Sequence, residues 1–288
     1  GFPPPAVMAA ASVLVPAIDI VTGGRLQLST IFGYSPIVAG RFAGFGNQVF
    51  SAFAISLLLV VTAFAERHLE PFPEDHSRGS GGDAATPLLR APWRVVGVVV
   101  AVFVAALVLD GHPAFGSDVG GVLALVPTFT VATLMLRGVR IRVRTVLLAG
   151  ALAALALGVF TLVDLAQPAA ERTHLGRFAQ QVLDGDLFEV LQRKLSANLR
   201  VLVVVWTWVI PAALVYLAYL SWRPNRALTE IRRRHPGFRI FGVSGILLGV
   251  LSTAVNDSGV SMPAMMLAVA LSYTAYLAVG LDPTAADP

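Results

Sequence analysis

A chain of 288 residues that is 56% hydrophobic and only 13% charged is not an ordinary soluble domain, where about a quarter of residues carry charge. With no cysteine, disulfides and thiolate metal sites are excluded. The basic excess, net +4 and nearly all arginine with Lys194 as the one lysine, reads as membrane topology and not as nucleic-acid binding.

The apolar residues fall into eight runs, at 4–20, 48–65, 95–109, 119–136, 146–163, 201–220, 240–255 and 261–280. Roughly 20 apolar residues carry a helix across a bilayer, and backbone groups in lipid must be satisfied within the segment. The expected fold is therefore all-α: a polytopic transmembrane bundle of about eight spans, forming a single domain over residues 1–288. Pro16, Pro127 and Pro211 lie inside runs and remove backbone donors there. The chain opens at Gly1 without Met or a basic leader, so the first run is expected to be an internal helix of a longer chain and not a signal peptide.

Arginine placement gives an orientation. Arg137, Arg140, Arg142 and Arg144 crowd one connection; Arg223, Arg226, Arg232, Arg233, Arg234 and Arg239 crowd another. Both are expected to be cytoplasmic. Eight spans then place a 66–94 linker loop on the same side, with Arg67, Arg78, Arg90 and Arg94, so that 14 of the 21 basic residues fall inside. Glu66, His68, Glu70, Glu74 and Asp75 on that loop read as an inert solvated face.

The opposite face carries the unusual polar connections, taken here in chain order. Residues 22–47, TGGRLQLSTIFGYSPIVAGRFAGFGN, are too apolar for a loop and too broken for a span. A re-entrant or interfacial segment fits, with Asp19 and Arg41 able to pair across it and Asn47 at its end. Residues 110–118, DGHPAFGSD, hold Asp110 and Asp118 eight positions apart around Gly111, Pro113 and Gly116. Such a bend at a helix start offers backbone N–H groups to a polar ligand, although Asp118 also reads as a plain N-cap.

Residues 165–200 form an extracytoplasmic amphipathic loop in which Leu175, Phe178, Val182, Leu187, Leu191 and Leu195 recur near helical spacing. Its polar side has His174, Arg177, Arg193 and Lys194, groups suited to phosphate oxygens or, with less specificity, to anionic headgroups. Finally, Asn256 and Asp257 turn the chain between the last two runs. His112 alone does not make a metal site, and neither a metal nor a cofactor is expected.

The motifs GYSPIVAGRFAGFGN, DGHPAFGSDVGG, THLGRF, RKLSANL and NDSG resemble the membrane-spanning part of a family of bacterial, often actinobacterial, membrane proteins. In that family an extracytoplasmic alkaline-phosphatase-like domain precedes the membrane part. The resemblance implies an external partner domain in the same chain. It carries over no catalytic residue.

Three functions follow from these readings. The first is a transporter or flippase-like module that binds membrane lipid, specifically an anionic, phosphate-bearing lipid or lipid-linked glycan. Its phosphate would be held by Arg41, His174, Arg177 and Arg193, and its polar groups by Asn47, Asn256, Asp110, Asp118 and Asp257. The second is a transferase using a lipid-phosphate-linked donor, with Asp110, Asp118 or Asp257 as the base. The third is an anchor that positions the external domain.

Overall fold

The computed structural model describes residues 3–27, 44–71, 89–112, 114–116, 118–139, 141–168, 185, 188, 192, 196, 226–256 and 261–281. Seven of the helices there are long and apolar enough to cross a membrane. They are α1 (Pro4–Val21), α2 (Asn47–Glu66), α3 (Trp93–Gly111), α4 (Val119–Leu136), α5 (Val143–Leu165), α7 (Pro236–Val255) and α8 (Ser261–Val279). An eighth helix, α6 (Arg226–Arg234), is short and basic. The only extended pairing among the described residues joins Glu70–Pro71 to Leu89–Arg90 and closes the base of the 66–94 connection. The expected span at 201–220, the amphipathic loop at 165–200 apart from residues 165–168 and four isolated positions, and the middle of the 22–47 segment lie outside the described residues.

Local signals explain several helix ends. Pro4 and Pro236 sit in the first turns of α1 and α7, where a missing N–H costs nothing. Asp118 caps α4 by accepting from Gly120 N–H at 3.1 Å. Two helices stop on glycine in the left-handed region. After α4, Gly138 (φ +71°) donates to Met135 O, and Val139 donates to Leu134 O, both at 2.9 Å. After α1, Gly23 (φ +109°) donates to Ile20 O and Gly24 to Asp19 O. This paired closure satisfies carbonyls that a helix end otherwise leaves open.

The bundle is built around α2 and α4. Over its spanning stretch α2 is 78% buried and α4 61% buried, against 17% for α5 and 22% for α1. Helices α1, α7 and α8 pack on α2; α3, α5 and α7 pack on α4; thus α7 joins the two central helices. The core consists of interlocked apolar side chains such as Phe50, Phe53, Leu58, Leu125 and Leu248, all at 1% exposure or less. Phe103 of α3 stacks on Phe129 of α4 with ring centroids 3.9 Å apart. The apolar faces of the outer helices stay exposed, as a bilayer-facing surface requires.

Each span reverses the one before it from α1 to α5. Helix α5 ends beside Gly111, whereas α7 begins beside Glu66 at the other end.

Three expectations need correction. Asp110 belongs to the last turn of α3 and not to the connection that follows it; Asp164 likewise lies in the last turn of α5. The basic 226–234 stretch is a helix with Ile231 tucked in and its arginines outward. On it, hydrogen bonds from Arg233 and Arg234 hold the Glu230 carboxyl down to about 2. Glu66 is no inert surface group, because its carboxylate bridges His235 Nδ1 (2.9 Å) and Gly237 N–H (3.1 Å). At the same end Arg137 donates to Ala91 O at 2.7 Å and lies 3.8 Å above the Trp93 ring, so this basic connection is a fastened turn and not a slack linker.

Candidate functional site

The polar groups of the opposite end are brought together by glycines. In the 110–118 turn, Gly116 N–H donates to Leu109 O (2.9 Å) and Asp118 N–H to Asp110 O (3.0 Å), which folds the segment back over the end of α3. A Cβ on Gly116 would overlap the Asp110 carbonyl, so only glycine fits there. The Asp110 carboxylate stands against Gly121 in the first turn of α4. One residue earlier, Gly120 leaves room for the side chain of Asn256 from the end of α7. Gly111 in turn packs under Val122 and Phe160, which places the end of α5 alongside, with Asp164 one turn beyond Phe160.

The segment after α1 joins the same assembly. Gly44, with φ +104°, lies directly on Gly116 O. Asp19 accepts from Leu26 N–H (2.9 Å) and from Gln27 Nε2 (3.3 Å), and Gln27 Oε1 accepts from Gly46 N–H (3.1 Å). This relay fixes both flanks of the 22–47 segment and leads directly into Asn47 at the start of α2. Asp19 is thus engaged by the turn that follows it. Arg41, its expected partner, lies outside the described residues.

The result is a buried polar layer. Asp110 and Asp164 are fully buried, Asp118 is 1% exposed and Asp19 4%. Moving a carboxylate out of water costs several kcal/mol even after relaxation. The positive end of α4, against which Asp110 and Asp118 both lie, offsets at most about 2 kcal/mol of that. Groups so placed in a membrane protein mark a ligand or ion path more often than a packing role. Among the described residues no three His, Cys, Asp or Glu side chains gather as metal ligands. His112 has a local role, its Nδ1 accepting from Ala114 N–H at 3.1 Å.

Of the residues singled out in the sequence, Asp110, Asp118, Asn47 and Asn256 lie at this one end. Asp118 is the N-cap that its position suggested. Arg41, His174, Arg177, Arg193 and Asp257 lie outside the described residues, although Asp257 directly follows Asn256. Sequence reasoning missed Asp164 and Gln27. Asp164 had a readable signal, an acid immediately after an apolar run and followed by further apolar residues. Gln27 had none, because its role depends on a fold-back to Gly46.

No protein family, curated protein or solved structure matches this chain.

Proposed function

We propose that this chain is an integral membrane module that binds an anionic, phosphate-bearing lipid or lipid-linked glycan at the Asp110 end of the bundle, in the manner of a transporter or flippase, with that end extracytoplasmic. The observation that carries the reading is the convergence of the described flanks of the 22–47 segment, the Asp110–Asp118 turn and Asn256 at the end of α7 on one buried polar layer that holds four aspartates, Gln27 and Asn256. In this reading Arg41, His174, Arg177 and Arg193 hold the phosphate, while Asp110, Asp118, Asp257, Asn47 and Asn256 take the hydroxyls and amides of the headgroup. The arginine distribution supports the sidedness. The family resemblance, with its external alkaline-phosphatase-like domain, supports it as well.

One feature favours a second reading, a transferase acting on a lipid-phosphate-linked donor. The ionisable residues of the described spans all lie near span ends, and mid-span polarity is limited to hydroxyls such as Ser56, Thr128 and Ser244. A transport path wants polar groups at the midplane, whereas a transferase needs them only at the surface where donor and acceptor meet.

Native-nanodisc extraction followed by mass spectrometry of bound lipid tests the proposal. The wild type should retain a phosphate-bearing lipid that Asp110→Asn and Arg177→Ala lose while still inserting and folding. Equal lipid content in all three proteins overturns it. Because the chain has no cysteine, the sidedness can be read directly. Ala114→Cys should react with an impermeant maleimide on intact cells, and Val139→Cys only after permeabilisation. The reverse pattern overturns the orientation.

A further inference from the structure

The end of the bundle away from Asp110 carries a cavity of about 700 Å³, a volume suited to a headgroup and not to a whole lipid. Its walls come from the start of α1, the end of α2, the α6–α7 junction and the end of α8. The polar wall has Arg67, Arg234 and His235 around the single carboxylate of Glu66. That carboxylate is already bonded by His235 and Gly237 N–H, and the wall sets the guanidinium groups of Arg67 and Arg234 beside it. Arg234 is oriented by its Nε bond to Glu230 outside the cavity. Tyr273 is held in place by edge contact with Phe241, and Tyr276 stands half-exposed at the rim. The remaining wall, including Pro4, Leu277 and Val279, is apolar and continues onto a strongly exposed Val279.

A pocket between helix ends that combines two guanidinium groups, two tyrosines and an apolar wall ending at the exposed Val279 matches the profile of a glycerophospholipid at the membrane interface. We infer that this cavity is a binding site for the phosphate headgroup of an anionic phospholipid of the leaflet at that end. Arg67 and Arg234 face the phosphate, the tyrosines face the glycerol region, and the acyl chains run down Leu277 and Val279. A soluble phosphate would use the guanidinium groups but gain nothing from the apolar wall, so the chemistry favours the lipid. This site is separate from the Asp110 end and stands whatever that end binds.

The test uses the full chain in nanodiscs of equal phosphatidylglycerol and phosphatidylcholine, with retained lipid measured by native mass spectrometry. The wild type should retain phosphatidylglycerol over phosphatidylcholine by roughly tenfold, because both carry the phosphate but the choline cation of the second is repelled by the guanidinium groups. Arg67→Gln combined with Arg234→Gln should abolish that preference, and Arg232→Gln, outside the cavity, should keep it. Val279→Trp fills the apolar mouth without touching charge, and should also release the lipid, which gives a reading even if the double variant fails to fold. Absence of preference in the wild type, or its persistence in Val279→Trp or in a folded double variant, overturns the assignment. So does complete displacement of the lipid by millimolar inorganic phosphate.

Discussion

The carboxylate of Asp110 lies directly over the backbone of Gly121, so close that a methyl group on Gly121 would occupy the space of both carboxylate oxygens. The contact joins the last turn of α3 to the first turn of α4. It also defines how deep the buried acid layer sits. Replacing Gly121 by Ala should lower stability by about 1–3 kcal/mol, the usual range for overpacking a filled site. Gly150→Ala and Gly158→Ala, where a Cβ would meet nothing within 4 Å, should leave the melting temperature unchanged or slightly raised. Thermal unfolding in nanodiscs, followed by intrinsic fluorescence, separates the two classes. Identical melting of Gly121→Ala and Gly150→Ala would contradict the contact.

Asp118 has a capping role that is separable from any role in binding. Asp118→Ala should cost about 1 kcal/mol through loss of the bond to Gly120 N–H, while Asp118→Ser should recover most of it. If both variants lose ligand binding yet Asp118→Ser melts like the wild type, the carboxylate serves the ligand as well as the helix.

At the other end, the bridge from Glu66 to His235 and Gly237 N–H joins α2 to the start of α7. Glu66→Ala should destabilise by about 1–3 kcal/mol, because it strands a helix-start N–H and an imidazole in a half-buried setting. Glu66→Gln keeps an acceptor for Gly237 and should fall between the two. A Glu66→Gln protein as unstable as Glu66→Ala would show that charge, not hydrogen bonding, dominates there.

Much of the architecture was readable from hydrophobic run length, because a bilayer allows few alternatives to the helix. The seven expected runs that fall within the described residues are all helices, each within a few residues of the expected ends. The two-residue extensions at the ends of α3 and α5 hold the chemistry, since they carry Asp110 and Asp164, which lie just past the expected runs, in buried helix turns. A hydropathy pattern stops at the first charge, whereas a helix continues until its hydrogen bonds fail. The gathering of polar connections was legible only as sidedness. Which atoms touch which was hidden, because those contacts depend on glycines 44, 111, 116, 120 and 121, and a glycine announces room without naming its occupant. Glu66 was misread for a related reason: its partners His235 and Gly237 are nearly 170 positions away, and no local pattern connects them.

The α3–α4 pair is fastened along its whole length by contacts between near neighbours in the chain: Asp118 to Asp110 at one tip, Phe103 on Phe129 midway, and Arg137 with Ala91 and Trp93 at the other tip. All these partners fall between residues 91 and 137, so the hairpin can close during synthesis before α5 leaves the ribosome. A hairpin closed in this way already sets the Asp110 carboxylate against the start of α4 without help from any later helix. The later helices then have a finished template to dock against.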